Sequence, residues 1–272
     1  MKKILIGAAA SLVIATAAPA ADLPARTYAK APEVAPVYNW GGFYIGLNGG
    51  GGSAHKCWEI LNDTGTPVIP SVAEGCHNAT GATAGGQFGY RWQAANWVFG
   101  LEAQGNWANF KGSNLNQWAV LGSSLFNDVT RIDAFGLFTG QIGYAVNNVL
   151  VYAKGGAAVV SDKYTTTFTP FGAAFYGPLV GAALATGQTA ASGTETRWGG
   201  ALGAGVEYGF APGWSVALAY DHLFMGRRNV DITNVAPFFP GGRPSIHRIG
   251  QDLDIGSVRL NYTFGGPVVA RY

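Results

Sequence analysis

The chain of 272 residues is 48% apolar and 13% aromatic but only 12% charged, and 41 of its residues are glycine. A soluble domain usually carries about twice that share of charge, so the composition argues against an ordinary soluble globule. The formal net charge is +2 with no basic cluster, which leaves no electrostatic footprint for nucleic acid.

Lys2 and Lys3 open the chain, an apolar run follows from Ile4 to Ala18, and the small residues Ala18-Pro19-Ala20 close it. This is the pattern of a secretory signal peptide over residues 1–20, and the run is short for a helix crossing a hydrocarbon core of about 30 Å. Its removal takes two bases and no acid from 17 basic and 15 acidic side chains, so the mature chain is neutral. Residues 21–40, with Pro24, Pro32 and Pro36 among alanines, read as an extended linker.

From Gly41 the pattern has period two. The expected strands run over about 43–52, 82–92, 97–107, 131–144, 149–160, 197–210, 214–224 and the end of the chain near 257–264. In the clearest one, Trp198, Gly200, Leu202, Ala204, Val206, Tyr208 and Phe210 alternate with Arg197, Gly199, Ala201, Gly203, Gly205, Glu207 and Gly209. Successive side chains of a strand point to opposite faces, so one face is apolar with aromatic ends and the other is small or charged. That is the lipid and lumen split of a transmembrane strand, and no stretch of the mature chain is apolar for the ~20 residues that a spanning helix needs. A lipocalin-like soluble barrel would need the opposite arrangement.

Connections alternate between short, as at Ala94-Ala95-Asn96, Val146-Asn147-Asn148 and Ala211-Pro212-Gly213, and long, over 53–80, 111–128, 163–194 and 226–248. Short periplasmic turns and long extracellular loops define an all-β, eight-stranded antiparallel transmembrane β-barrel over residues 41–264, in the cell outer membrane. A ten-stranded count would need a further hairpin in 165–191, against which Pro170 and Pro178 argue, because proline removes a ladder donor. Cys57 and Cys76 fall in the first long connection and read as a disulfide in an oxidising compartment.

The inward parity collects Asn48, Gln87, Arg91, Glu102, Gln104, Arg131, Asp133, Gln141, Lys154, Arg197, Glu207, Asp221, Arg259 and Asn261. Eight strands enclose a space that side chains can just fill, so these residues are expected to form a polar network of ion pairs. The alternative is a narrow charged water path, a porin passing small solutes. No metal, cofactor or catalytic motif stands out. His55, His77, His222 and His247 are scattered, and only His222 and His247 beside Asp252 suggest a grouping at the extracellular rim. The expectation is therefore a protein without enzymatic activity and without a cofactor.

The segment YNWGGFYIGLNGGGG after a linker opened by AADLPA, the strand WVFGLEAQ and the strand WGGALGAGVEYGF resemble the alphaproteobacterial outer-membrane surface-antigen family of Brucella, Rhizobium and Bradyrhizobium. The resemblance covers essentially the whole chain. It implies an eight-stranded barrel related in fold to OmpA-type, OmpX-type and opacity proteins, abundant and immunogenic at the surface of a Gram-negative cell and contributing to envelope integrity. Porin and haem-binding roles have been assigned to some members. Only His55 and His77 offer themselves here as haem ligands, so haem binding is not carried over.

The expected partners are outer-membrane lipid and lipopolysaccharide, the outer-membrane assembly machinery, and a molecule outside the cell met through the loops. After Tyr262 and Phe264, which suit a terminal assembly signal, the tail GGPVVARY continues over 265–272, so the signal is either internal or carried by Tyr272.

Overall fold

The structure, a computed structural model, describes residues 38–117, 119–120, 123–181, 183–235 and 244–264. The expected signal peptide, residues 21–37 of the expected linker and the expected tail lie outside the described residues. Eight strands are joined in one closed antiparallel ring: β1 (Gly42–Asp63), β2 (Thr66–Ala94), β3 (Trp97–Leu115), β4 (Phe126–Val146), β5 (Val149–Phe168), β6 (Thr189–Ala211), β7 (Trp214–Asn234) and β8 (Ser245–Phe264). Each pairs with its chain neighbours, and β8 pairs with β1 from Phe43↔Phe264 upward to close the ring. Closure gives every strand a neighbour on both sides, the condition for crossing lipid with strands. Among the described residues no helix is long and apolar enough to cross a membrane.

At one end the turns are tight, with positive φ at Ala95, Asn147 and Gly213 as two-residue hairpin connections require. An outer aromatic belt surrounds this end, in which Phe43 meets Tyr90, Trp97 meets Tyr144, and Trp214 meets Tyr262, with ring centroids 4.6, 5.3 and 5.0 Å apart. Leu47 and Leu218 are 70% and 66% exposed on the outer face above it, and Trp107, Phe138, Trp198 and Phe224 form the second belt. Aliphatic side chains left exposed between two aromatic belts mark the lipid band.

The strands span 19 to 29 residues, about twice what a bilayer crossing needs. Stretches expected as loops are largely strand continuations above the lipid: the connections shrink to Thr64-Gly65, 116–125, 169–188 and 235–244. The reason is an inversion of pattern. Within the lipid band β1 turns Phe43, Ile45 and Leu47 outward and Tyr44 and Asn48 inward; above it His55 is outside and Ala54, Trp58 and Ile60 are buried inside. Water has replaced lipid as the outer solvent, so the apolar face turns inward, and the apolar-out signature ends where the lipid ends.

Cys57 and Cys76 are directly opposed on β1 and β2 and joined in a disulfide, so the bond clamps the barrel wall instead of a loop. Two further segments depart from expectation. Tyr38 and Trp40, assigned to the linker, are buried at the barrel's base with Val98, Leu150 and Tyr152. The proline-containing segment after β5 forms a helix, α1 (Pro170–Val180), rather than a plain loop. Thr169 caps it by accepting from Gly172 N, Pro170 opens it where an N–H would be unpaired, and Gly181 ends it at φ 65°.

Replacing Cys57 and Cys76 by serine should leave the barrel folded, since the ladder around them is complete, but should loosen the β1–β2 tip. The expected result is unchanged heat-dependent gel mobility with faster proteolysis near Thr64-Gly65, and a stability loss of no more than about 3 kcal/mol.

Candidate functional site

The inward faces fill the lumen in layers. At the base the rings of Tyr38 and Trp40 lie 4.4 Å apart and Trp40 N donates to Gln93 Oε1 at 2.8 Å. Above them, Arg91 makes a two-pronged pair with Glu207, at 2.7 and 3.2 Å, and its guanidinium lies 4.3 Å from the Tyr44 ring. Glu207 also accepts from Ser215 and from Asn261 Nδ2. Glu102 accepts from Tyr44 OH at 2.6 Å and from Arg259, and lies 3.6 Å from Lys154, which reaches Asp221 at 3.0 Å. Three cations thus face three carboxylates, all with side chains no more than 2% exposed.

Amides extend this layer: Gln87 Nε2 donates to Asn261 Oδ1, Asn48 Nδ2 to Gln87, Asn106 Nδ2 to Asn48 and Gln104 Nε2 to Asn106, at 2.5 to 2.8 Å. Gln141 is buried in the same lumen. Room for the network comes from inward glycines: a Cβ at Gly46 would collide with Asn261 and Gln87, and one at Gly203 with Asp221.

A band without charge follows, built from Phe110, Ile132, Phe135, Leu137, Leu223, Leu253 and their neighbours, each of these six no more than 4% exposed. Above it lies a second ionic layer, where Lys56 pairs with Asp162 at 2.5 Å and donates to Gln251 at 2.7 Å. There Arg197 pairs with Glu195 at 2.7 Å and donates to the Ile249 and Gly226 carbonyls. The Gly226 carbonyl belongs to the stretch of β7 where the β6–β7 ladder is interrupted, opposite the gap between Ser192 and Gly200, and the Ile249 carbonyl is on β8.

At the extracellular end Glu74 pairs with His247 at 2.7 Å, and Asn116 Nδ2 donates to both Glu74 and Asp128. A cavity of about 190 Å³ lies here, lined by Glu74, His247, Ile60, Phe126 and Tyr176. Phe126 and Tyr176 pack with Phe168 and Ala173 in one apolar cluster, which ties α1 to this end.

Of the residues expected inside, Gln87, Arg91, Glu102, Gln104, Lys154, Arg197, Glu207, Asp221 and Arg259 are buried there. Arg131 and Asp133 are not: they pair at 2.5 Å on the outer wall, half exposed. The register of β4 slips against both neighbours between Ile132 and Ala134, so parity restarts and Ile132, Phe135 and Leu137 fill the interior. A bulge changes the face of every residue beyond it, and sequence alternation alone does not reveal it.

The suggested rim grouping does not form either. His222 is on the outer face, hydrogen-bonded to Asp254 at 2.7 Å, whereas His247 is inside on Glu74. His55 and His77 are likewise on opposite faces, bonded to Asn78 and Asn114. His55 lies with Cys57 and Cys76 in a cluster of metal-ligand type, but both sulfurs are committed to the disulfide.

Two outcomes follow. Glu207→Gln should cost about 3–5 kcal/mol in denaturant unfolding from detergent, because Arg91 keeps an uncompensated buried charge, whereas the double change Arg91→Met with Glu207→Leu should cost much less.

Asp128 is governed by burial first and by the Glu74 carboxylate second, which push it up to about 7. The folded form holds a proton that the unfolded chain releases above about pH 4, so its contribution to stability falls as pH rises from about 4 to about 7. Limited proteolysis of the α1 end should accelerate between pH 5 and pH 7.5, and Asp128→Asn should flatten that dependence.

The outer-membrane protein β-barrel domain model matches residues 6–236 of this chain. The 31 kDa outer-membrane immunogenic proteins of Brucella melitensis and Brucella suis are each 29% identical over 274 residues, covering 97% of this chain and the whole of theirs. Neisserial surface protein A aligns with 82% of this chain and 97% of its own at 12% identity and a TM-score of 0.35. With the ring of eight strands, the lipid band and a family model that spans most of its length, the chain belongs to the outer-membrane β-barrel protein family and resides in the outer membrane.

Proposed function

We propose that this protein is a non-enzymatic structural and surface barrel, contributing to envelope integrity and meeting molecules outside the cell through its long extracellular end. The observation that carries this reading is the uncharged band of Phe110, Ile132, Phe135, Leu137, Leu223 and Leu253 between two paired ionic layers. A water or ion path needs a continuous polar lining, and the alternation of sealed apolar and charge-matched layers opposes one. The matched charges serve to fill and stiffen the ring. The Brucella relatives are named as immunogenic, which suits a barrel whose wall stands well clear of the lipid.

Conductance of the refolded protein in planar bilayers tests this. A folded, heat-modifiable barrel should be silent at all voltages, and removing the band by Phe110→Ala with Phe135→Ala should introduce current steps. Discrete steps from the unmodified protein would instead establish the narrow porin.

A further inference from the structure

The outer wall of the extracellular half carries a row that the lumen does not explain. Lys111 on β3 is directly opposite Arg131 on β4, and Arg131 is directly opposite Lys163 on β5. The row continues to Thr80 on β2 and Thr194 on β6, and all five residues are exposed on the same outer face. Like charges directly opposite in neighbouring strands repel, so such a row is unfavourable unless an anion lies across it. Asp133 neutralises Arg131 alone; among the described residues neither lysine has a carboxylate within 4.0 Å.

The position of the row identifies the anion. Trp107, 78% exposed in the upper aromatic belt, lies on the same face of β3 as Lys111. They stand four positions apart, about 13 Å along a tilted strand. The cations therefore stand just above the hydrocarbon edge, at the depth of headgroups, with hydroxyl donors at either end.

We infer that Thr80, Lys111, Arg131, Lys163 and Thr194 form a binding strip for the phosphate groups of a phosphorylated glycolipid of the outer leaflet. Lysine and arginine supply charge-assisted hydrogen bonds to phosphate oxygens, and the lipid's chains lie along the apolar band below. The strip rests on the outer-membrane location and on neither reading of the lumen, so a silent or a conducting barrel leaves it untouched.

The test uses the refolded full barrel in neutral detergent, titrated with diphosphoryl lipid A, with dephosphorylated lipid A and with inorganic phosphate, read by the temperature at which gel mobility changes. Diphosphoryl lipid A should raise that temperature at low salt and lose most of its effect at about 0.5 M salt, and the other two probes should not raise it. Lys111→Gln, Arg131→Gln and Lys163→Gln combined should weaken the response at least about tenfold in lipid concentration. The control Arg227→Gln with Arg248→Gln, which removes two cations elsewhere on the wall, should keep it.

Equal responses from the triple variant and the unmodified protein would overturn the strip. So would an equal response to dephosphorylated lipid, which would indicate apolar contact alone, or to inorganic phosphate, which would indicate a soluble anion. Relieving like-charge repulsion favours folding of the triple variant; the double change Lys111→Arg with Lys163→Arg, which keeps the charge, should retain the response and gives a second check.

Discussion

The width of an eight-stranded ring governs everything else in this protein. Such a ring leaves a lumen that only side chains can fill, with no room for bulk water. Every charge turned inward must then be answered by another side chain, and Arg91 with Glu207, Arg259 with Glu102 and Lys154 with Asp221 are the answers in the lower half. Inward glycines at Gly46 and Gly203 are the complement of these large residues, since the network occupies the volume that a Cβ would need.

The same wall serves two solvents. Where it faces lipid the apolar residues are outside and the lumen is ionic; where it faces water the apolar residues are inside and the lumen holds a core of soluble type around Phe110, Trp58 and Tyr164. Each half is stabilised by a different balance. The lower half depends on completeness of ion pairing and hydrogen bonding, because an unmatched charge there is costly. The upper half depends on apolar burial, reinforced by the disulfide and by α1.

This division bears on function. In the proposed structural role, the apolar band between two paired layers opposes a water path by solvation rather than by bulk. The parts free to engage other molecules are then the outer face and the extracellular end, where the strip of cations on β3 to β5 and the cavity beside Glu74 and His247 are found.

By itself the sequence determined the class, the count of eight and most of the inner network. Period-two alternation in strands such as Arg197–Phe210 follows from the geometry of a strand between lipid and lumen, and short turns alternating with long connections follow from barrel closure. Only the tertiary structure decided where that alternation inverts or slips. The continuations of β1 and β2 past the lipid carry polar outer faces and so lose the membrane signature, although the ladder goes on through Cys57 and Cys76. The shift at Ile132/Ala134 moved Arg131 and Asp133 to the outer wall, because strand parity is local and a single extra residue reverses it. The cross-strand meeting of Lys111, Arg131 and Lys163 depends on register between strands far apart in the chain, which no local pattern contains.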